Sequence, residues 1–297
     1  MQVPVNFDSV TLDAMLSDWL RALGEFSVEA VVVLGPDPFA DANQRLVLAL
    51  HPPRLIEGAR AMALVGAAAY DTAHNHPDAA VAKQAQAFYE FLVPLIKGFS
   101  TENSVEVTSL GVQVHGGMGF IEETGAAQYY RDARITAIYE GTTGIQALDL
   151  IGRKLASEKG VTAAAVLAEV RATVAKLAAA GSDFASLKAN LEAGIAQAEA
   201  CVNFVLETFG TQPRLPAAGS VPFLKLMGIL LGGWQLARGA LIAQAKLGED
   251  GADTDFYTAK IVTARFYGEH LLPQISGLAV AILGGAASVL ALDEAQF

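Results

Sequence analysis

The chain has 297 residues, 53% of them hydrophobic and 8% aromatic, with 20 Lys and Arg against 31 Asp and Glu for a formal net charge of -11. That length buries a sizeable core in one or two domains, and the acidity, without any basic stripe, excludes a nucleic-acid partner, whose phosphates are held by clustered cations. It does not exclude an anionic ligand in one local cleft, because net charge governs steering and solubility and not the field inside a site.

Gly and Ala are abundant and β-branched runs are scarce, which predicts an all-α protein of closely packed helices. Cys201 is the only cysteine; it excludes an intrachain disulfide and, lying in an apolar helical period, reads as a buried, inert thiol. The start, MQVPVNFDSVTLD, has no basic region followed by an apolar core and so does not read as a signal peptide. The run Leu278–Leu292 is too short and glycine-rich for a bilayer span, which takes about 20 residues. The expectation is a soluble cytoplasmic protein with no membrane partner.

Residues 1 to 50 stay unassigned in function; a helix is predicted from Leu12 to Leu23 after Ser9 or Thr11, and a short extended run from Val28 to Leu34. Pro52-Pro53 fits a helix start, followed by one buried face through Ile56, Met62 and Tyr70 and a stop near Pro77. From the natural cap Asp78, apolar residues Ala85, Phe88, Leu92, Leu95 and Phe99 recur three and four apart, a core-facing stripe with a kink expected at Pro94. Thr101-Glu102 is predicted to start a third helix that Gly116-Gly117 ends, and Thr142 to cap a fourth with Ile145, Leu148, Ile151 and Leu155 inward. Residues 51–159 thus form a four-helix bundle. Gly160 marks a boundary to residues 160–297, a second helical bundle with a seam from Phe184 to Phe209, a long helix from Pro222 to Leu247, and a last pair, capped by Asp253 or Thr254, around Pro273.

The chemistry is concentrated in one stretch, Gln113 to Leu155. Glu140 stands two residues before the cap Thr142, on a loop at the positive end of a helix; apolar neighbours raise a carboxyl pKa and a helix N-terminus lowers it, so it is either a carboxylate facing a cleft or a plain first-turn glutamate. Gly116, Gly117 and Gly119 permit close backbone approach to a phosphate, although their spacing is not the dinucleotide fingerprint and a helix-ending turn explains them equally. The charged turn Arg131-Asp132-Ala133-Arg134 either recognises an anion or forms a structural salt bridge. His74 and His76 lie two apart and share no helix face, so no metal is implied. His51, His115 and His270 are isolated.

In order, the segments Gln113–Phe120 (Q-x-x-G-G-x-G-F), Arg131–Ile135 (RDARI) and Ile138–Thr142 (IYEGT) closely resemble the C-terminal helical domain of acyl-CoA dehydrogenases. The wording Y-E-G-T-x-G-I-Q-A-L-D and the helical tail resemble the longer branch that includes 3-methylmercaptopropionyl-CoA dehydrogenases, from about Ile56 to the C-terminus. The resemblance implies FAD-dependent α,β-dehydrogenation of an acyl-CoA thioester with Glu140 as the base. It further implies that Gln113 and Gly117 contact the flavin dinucleotide, usually that of a neighbouring subunit, while Gly116, Gly141 and Thr142 belong to the same cofactor shell. The family's N-terminal helical domain and middle β-domain have no counterpart in the sequence, so a homo-oligomer or a partner supplying those domains is expected. The alternative is a non-catalytic helical interaction module, a degenerate remnant of such an enzyme.

Overall fold

Alanine-rich segments with apolar residues three and four apart can bury themselves only against one another, and a computed structural model shows them packed as helices. It describes the backbone of residues 42–296, with side chains from Arg54 onward except Glu294. No strand occurs among the described residues. The predicted elements between Leu12 and Leu34 lie outside them.

The helices are α1 (Ala42–Asn75), α2 (Ala79–Val114), a short α3 (Gly117–Phe120), α4 (Ala126–Thr136) and α5 (Thr143–Ile151), which runs into a π turn at Gly152–Ala156. They are followed by α6 (Val161–Ala180), α7 (Ala185–Thr208), a short α8 (Arg214–Ala218), α9 (Ser220–Leu247), α10 (Thr254–His270), α11 (Gln274–Gly284) and a short α12 (Ala286–Val289). Local caps set several boundaries. The Asp78 carboxylate accepts from the Ala80 amide at 2.8 Å and starts α2, and Asp253 accepts from Phe256 at 3.0 Å and starts α10; such a cap stabilises a helix end by about 1 kcal/mol.

Several local expectations are corrected. Tyr70 of α1 and Ile145 and Leu148 of α5, predicted to face inward, are exposed; the core-facing side of α5 is Gln146, Ala147, Leu150 and Ile151, because a spacing of three and four fits either face of so short a helix. Pro52-Pro53 falls inside α1 and does not begin it. Thr101 does not cap a new helix: its hydroxyl donates back to the Lys97 carbonyl at 2.7 Å, a bond that keeps the threonine within a helical run, so α2 continues unbroken to Val114. The RDAR segment is not a turn but part of α4, where Arg131 pairs with Glu122 at 2.8 Å and also donates to Gln128.

Helix α9 is the axis of the fold and packs on α1, α2, α5, α6, α7, α10 and α11. Two of its glycines allow the close approach. A Cβ on Gly228 would meet the Phe99 ring at 2.4 Å, and Gly232 faces Gly58 of α1 where the two backbones cross. Tyr267 of α10 donates to the Ile229 carbonyl at 3.0 Å. One cluster of buried apolar residues runs from Leu55 through Phe91, Leu150, Leu191, Leu230 and Ile282, on both sides of Gly160. Cys201 lies in it, and burial pushes its thiol up to about 11. Helix α9 is also long and apolar enough to cross a membrane, with a mean hydropathy of 1.4, yet 83% of that window is buried inside the protein. The apolar run Leu278–Leu292 breaks at Gly285, between α11 and α12.

The α1–α10 seam carries charge into the interior. Lys260 and Glu57 form a buried ion pair at 2.8 Å. Beside it Arg54, 1% exposed, lies over the Phe266 ring at 3.2 Å with none of its three nitrogens hydrogen-bonded. Burial pushes its pKa down to about 9, against the opposing pull of Glu57.

Candidate functional site

The loop from Ala137 to Thr142 joins α4 to α5. Tyr139 still bonds back to the Ile135 carbonyl at 3.2 Å, after which the chain reverses through two successive left-handed residues, Glu140 at φ +52° and Gly141 at φ +96°. Glycine adopts that conformation freely, whereas a residue with a Cβ gives up about 1 kcal/mol or more. Thr142 then caps α5, its hydroxyl oxygen accepting from the Ile145 amide at 3.3 Å, so the predicted cap is where the sequence put it.

Three side chains hold the turn. Lys97 of α2 donates to the Glu140 carbonyl at 3.3 Å. Gln146, a buried side chain of α5, reaches the Gly141 carbonyl at 3.5 Å, and Thr143 donates to the Glu102 carboxylate of α2. The Thr143 amide closes the loop onto the Ala137 carbonyl at 3.4 Å. Glu140 itself is exposed. Gln146 entered the sequence reading only as a letter of the Y-E-G-T-x-G-I-Q-A-L-D wording, although a polar residue in the apolar period Ile145, Ala147, Leu148, Leu150 was a signal; Lys97 and Thr143 gave none.

The glycine cluster lies at the far end of α2. His115 closes that helix, its imidazole nitrogen 2.8 Å from the Gly111 carbonyl; Gly116 turns the chain at φ +59°, and its amide donates to the Gln113 carbonyl at 3.0 Å. Gln113, Gly116 and Gly117 are exposed, and nothing lies within 4 Å of a Cβ on either glycine. Gly119 differs: its Cβ would sit 2.3 Å from the Val112 carbonyl, so its small size is a packing requirement.

Because α2 is continuous, these positions fall into two groups. Gly141 and Thr142 adjoin Glu140, which is tied to Lys97; Gln113 lies sixteen residues further along the same helix, roughly 24 Å at 1.5 Å per residue. The residues of each group are brought together, and the two groups are not. As a chemical surface, the Gln113 end offers an exposed side-chain amide and open glycine backbone, and the Glu140 end offers an exposed carboxylate next to a helix N-terminus.

Other features lie elsewhere. Half of the exposed large apolar side chains among the described residues fall between Met118 and Leu148, including Phe120 at 81% and Tyr129 at 71% exposed. A cleft of about 450 Å³ opens between α6 and α7 and contains no residue of the Gln113–Leu155 stretch; the ion pairs Arg171–Glu199 and Lys188–Glu192 belong to its lining. Among the described residues no three His, Cys, Asp or Glu gather as a metal site. His74 lies tilted against the Tyr70 ring, centroids 4.0 Å apart, while His76 bonds locally to Asp78.

Two family models match successive parts of the chain. Residues 54–156 match the family model "Acyl-CoA dehydrogenase, C-terminal domain" and residues 166–293 match "Acetyl-CoA dehydrogenase C-terminal like". The chain is 49% identical over 222 residues to 3-methylmercaptopropionyl-CoA dehydrogenase of Ruegeria pomeroyi, covering 75% of this chain and 37% of the relative. It is 32% identical over 257 residues to the broad-specificity linear acyl-CoA dehydrogenase FadE5 of Mycobacterium tuberculosis, covering 81% of this chain and 41% of the relative. The chain thus spans about two fifths of the length of these curated relatives. In fold it is similar to Caenorhabditis elegans ACDH-11 solved with C11-CoA, at a TM-score of 0.63 and 18% identity over 89% of this chain and 42% of that one. It is likewise similar to an acyl-CoA dehydrogenase from Bacillus anthracis solved with FAD, at a TM-score of 0.61 and 17% identity over 93% of this chain and 47% of that one. With two family models in register, a helical fold without a strand among the described residues, and 49% identity to one relative, the chain belongs to the acyl-CoA dehydrogenase family, through that family's C-terminal helical region.

Proposed function

We propose that this chain supplies the base-bearing part of an FAD-dependent acyl-CoA dehydrogenase, acting in the cytoplasm on a coenzyme A thioester. The observation that carries the reading is Glu140: an exposed carboxylate on a non-glycine residue held at φ +52°, in the motif that matches the family's base. Backbone conformations of that kind concentrate at functional sites, because they persist only where the surroundings hold them.

In this reading the Glu140 carboxylate takes the α-proton that the thioester carbonyl makes acidic. Bound flavin supplies the acceptor for the hydride leaving the β-carbon. Gly141 and Thr142 would hold the cofactor beside Glu140, the threonine through its exposed hydroxyl and the start of α5. Gln113, Gly116 and Gly117 would hold it from the other end of α2. A separation of roughly 24 Å along one helix favours two copies of this surface around a shared cofactor, so a homo-oligomer, or a partner supplying further domains, belongs to the proposal. One observation favours the alternative, a non-catalytic interaction module: the exposed apolar side chains from Met118 to Leu148 suit a surface that other protein covers.

The two readings separate in one experiment. Added FAD is expected to raise the melting temperature of the purified protein, since a ligand that binds only the native form stabilises it. Glu140→Gln should keep that rise while slowing flavin bleaching by an acyl-CoA by about 10²–10⁴-fold, the usual effect of losing a general base. Glu123→Gln is the control. A colourless protein with no thermal shift at saturating FAD would favour the interaction module, and undiminished bleaching in Glu140→Gln would remove Glu140 from the mechanism.

A further inference from the structure

We propose that Lys97 is a positioning residue for Glu140, an inference that rests on reading Glu140 as the base. The Glu140 carbonyl defines the plane of the Glu140–Gly141 peptide, and with it the sense of a turn in which both residues are left-handed. Lys97 donates its ammonium to that carbonyl at 3.3 Å from a position 43 residues away in the chain.

The contact differs from the other two ties in two respects. It is the only one of the three that acts on Glu140's own peptide, and its donor is a full cation, which makes a stronger bond than a neutral amide or hydroxyl does. Gln146 acts one peptide later and is itself packed in the core, and Thr143 acts beyond the cap. Lys97 is exposed, so its head contributes nothing to core packing and can be changed without opening a cavity. A lysine on a helix surface ordinarily keeps its ammonium in water. Here the ammonium is turned onto a backbone oxygen at the single point where the loop carries a side chain in a conformation suited to glycine. Fixing that peptide fixes the direction in which the Cβ of Glu140 leaves the backbone, and so where its carboxylate can reach.

The test is amide hydrogen exchange on the chain without added flavin. The reporter is the Thr143 amide, whose bond to the Ala137 carbonyl spans the turn. Lys97→Met is expected to speed exchange at Thr143 by about tenfold, the effect of losing one charge-assisted hydrogen bond from a locally opening loop, with the melting temperature unchanged. Lys97→Arg keeps donor and charge and should restore the parental rate. Combining Lys97→Met with Glu140→Gly should also restore it, because glycine takes the left-handed turn without being held; a lysine that merely braced the loop would not be replaced by that change. Parental exchange in Lys97→Met, or no rescue by Glu140→Gly, overturns the proposal. The reading of Glu140 as the base fails by a different result, undiminished flavin bleaching in Glu140→Gln, which leaves these exchange rates as they are.

Discussion

Helix α9 and the stretch from Met118 to Leu148 use their apolar residues in opposite ways. In α9, Leu224, Leu226, Met227, Leu230 and Leu231 are all fully enclosed, and its glycines let neighbouring helices approach until a ring or a backbone fills the space a side chain would take. In α4, Ala133 is the buried residue, while Tyr129, Ile135 and the following Ile138 and Tyr139 face outward. The first region is complete in itself. The second carries the segments that resemble the family's motifs on a surface that burial has not closed.

Four experiments would break or sharpen that contrast. The largest effect is expected from removing residues 161–297, which strips α9 from α1, α2 and α5 together; the remaining fragment should aggregate and lose cooperative melting through its uncovered apolar faces. A soluble fragment that melts cooperatively would show that the first helices stand alone. Next comes Glu57→Gln, which leaves Lys260 and Arg54 buried without an anion and should cost about 3–5 kcal/mol in denaturant unfolding. Leu230→Ala, at a fully enclosed position, should cost about 2–5 kcal/mol, whereas Ile135→Ala on the open face should stay within about 0.5 kcal/mol. Equal costs at the two positions would mean that the open face is not open in solution.

The last effect is expected with the opposite sign. Arg54→Met replaces a buried guanidinium without hydrogen-bond partners by an apolar side chain of similar length and should stabilise the fold by on the order of 1 kcal/mol, the lost contact with Phe266 offsetting part of the gain. Parental stability or a loss of stability in Arg54→Met, read by thermal melting, would show that the buried guanidinium is not a cost to the fold.

How much was legible follows from the range of the interaction involved. Asp78, Thr142 and Asp253 were readable as caps because each bonds an amide two or three residues away, and the seam of α7 was readable because its spacing matches the helix repeat. Thr101 misled because the same hydroxyl can accept from the following turn or donate to the preceding one. That choice depends on whether the helix continues, and the continuation of α2 is supported by its packing on α1, α4, α5 and α9. The RDAR segment misled for a related reason, since an arginine that pairs with a carboxylate of the preceding turn, as Arg131 does with Glu122, looks the same in sequence whether it stands in a helix or at a turn.

By itself, the sequence determined the helical class, from its excess of helix formers and its period of three and four, and the place of the Glu140 motif, from the order of three short segments. Only the tertiary structure decided that α2 is one helix, and hence that Gln113 and Glu140 lie far apart on it. It also decided that Glu140 is left-handed and held by Lys97, and that Arg54 is buried without a hydrogen-bond partner beside the Glu57–Lys260 pair. The physical reason is the same in each case: these properties come from contacts between residues tens to hundreds of positions apart, whose energies are set by which helices pack together and leave no periodic trace in the chain.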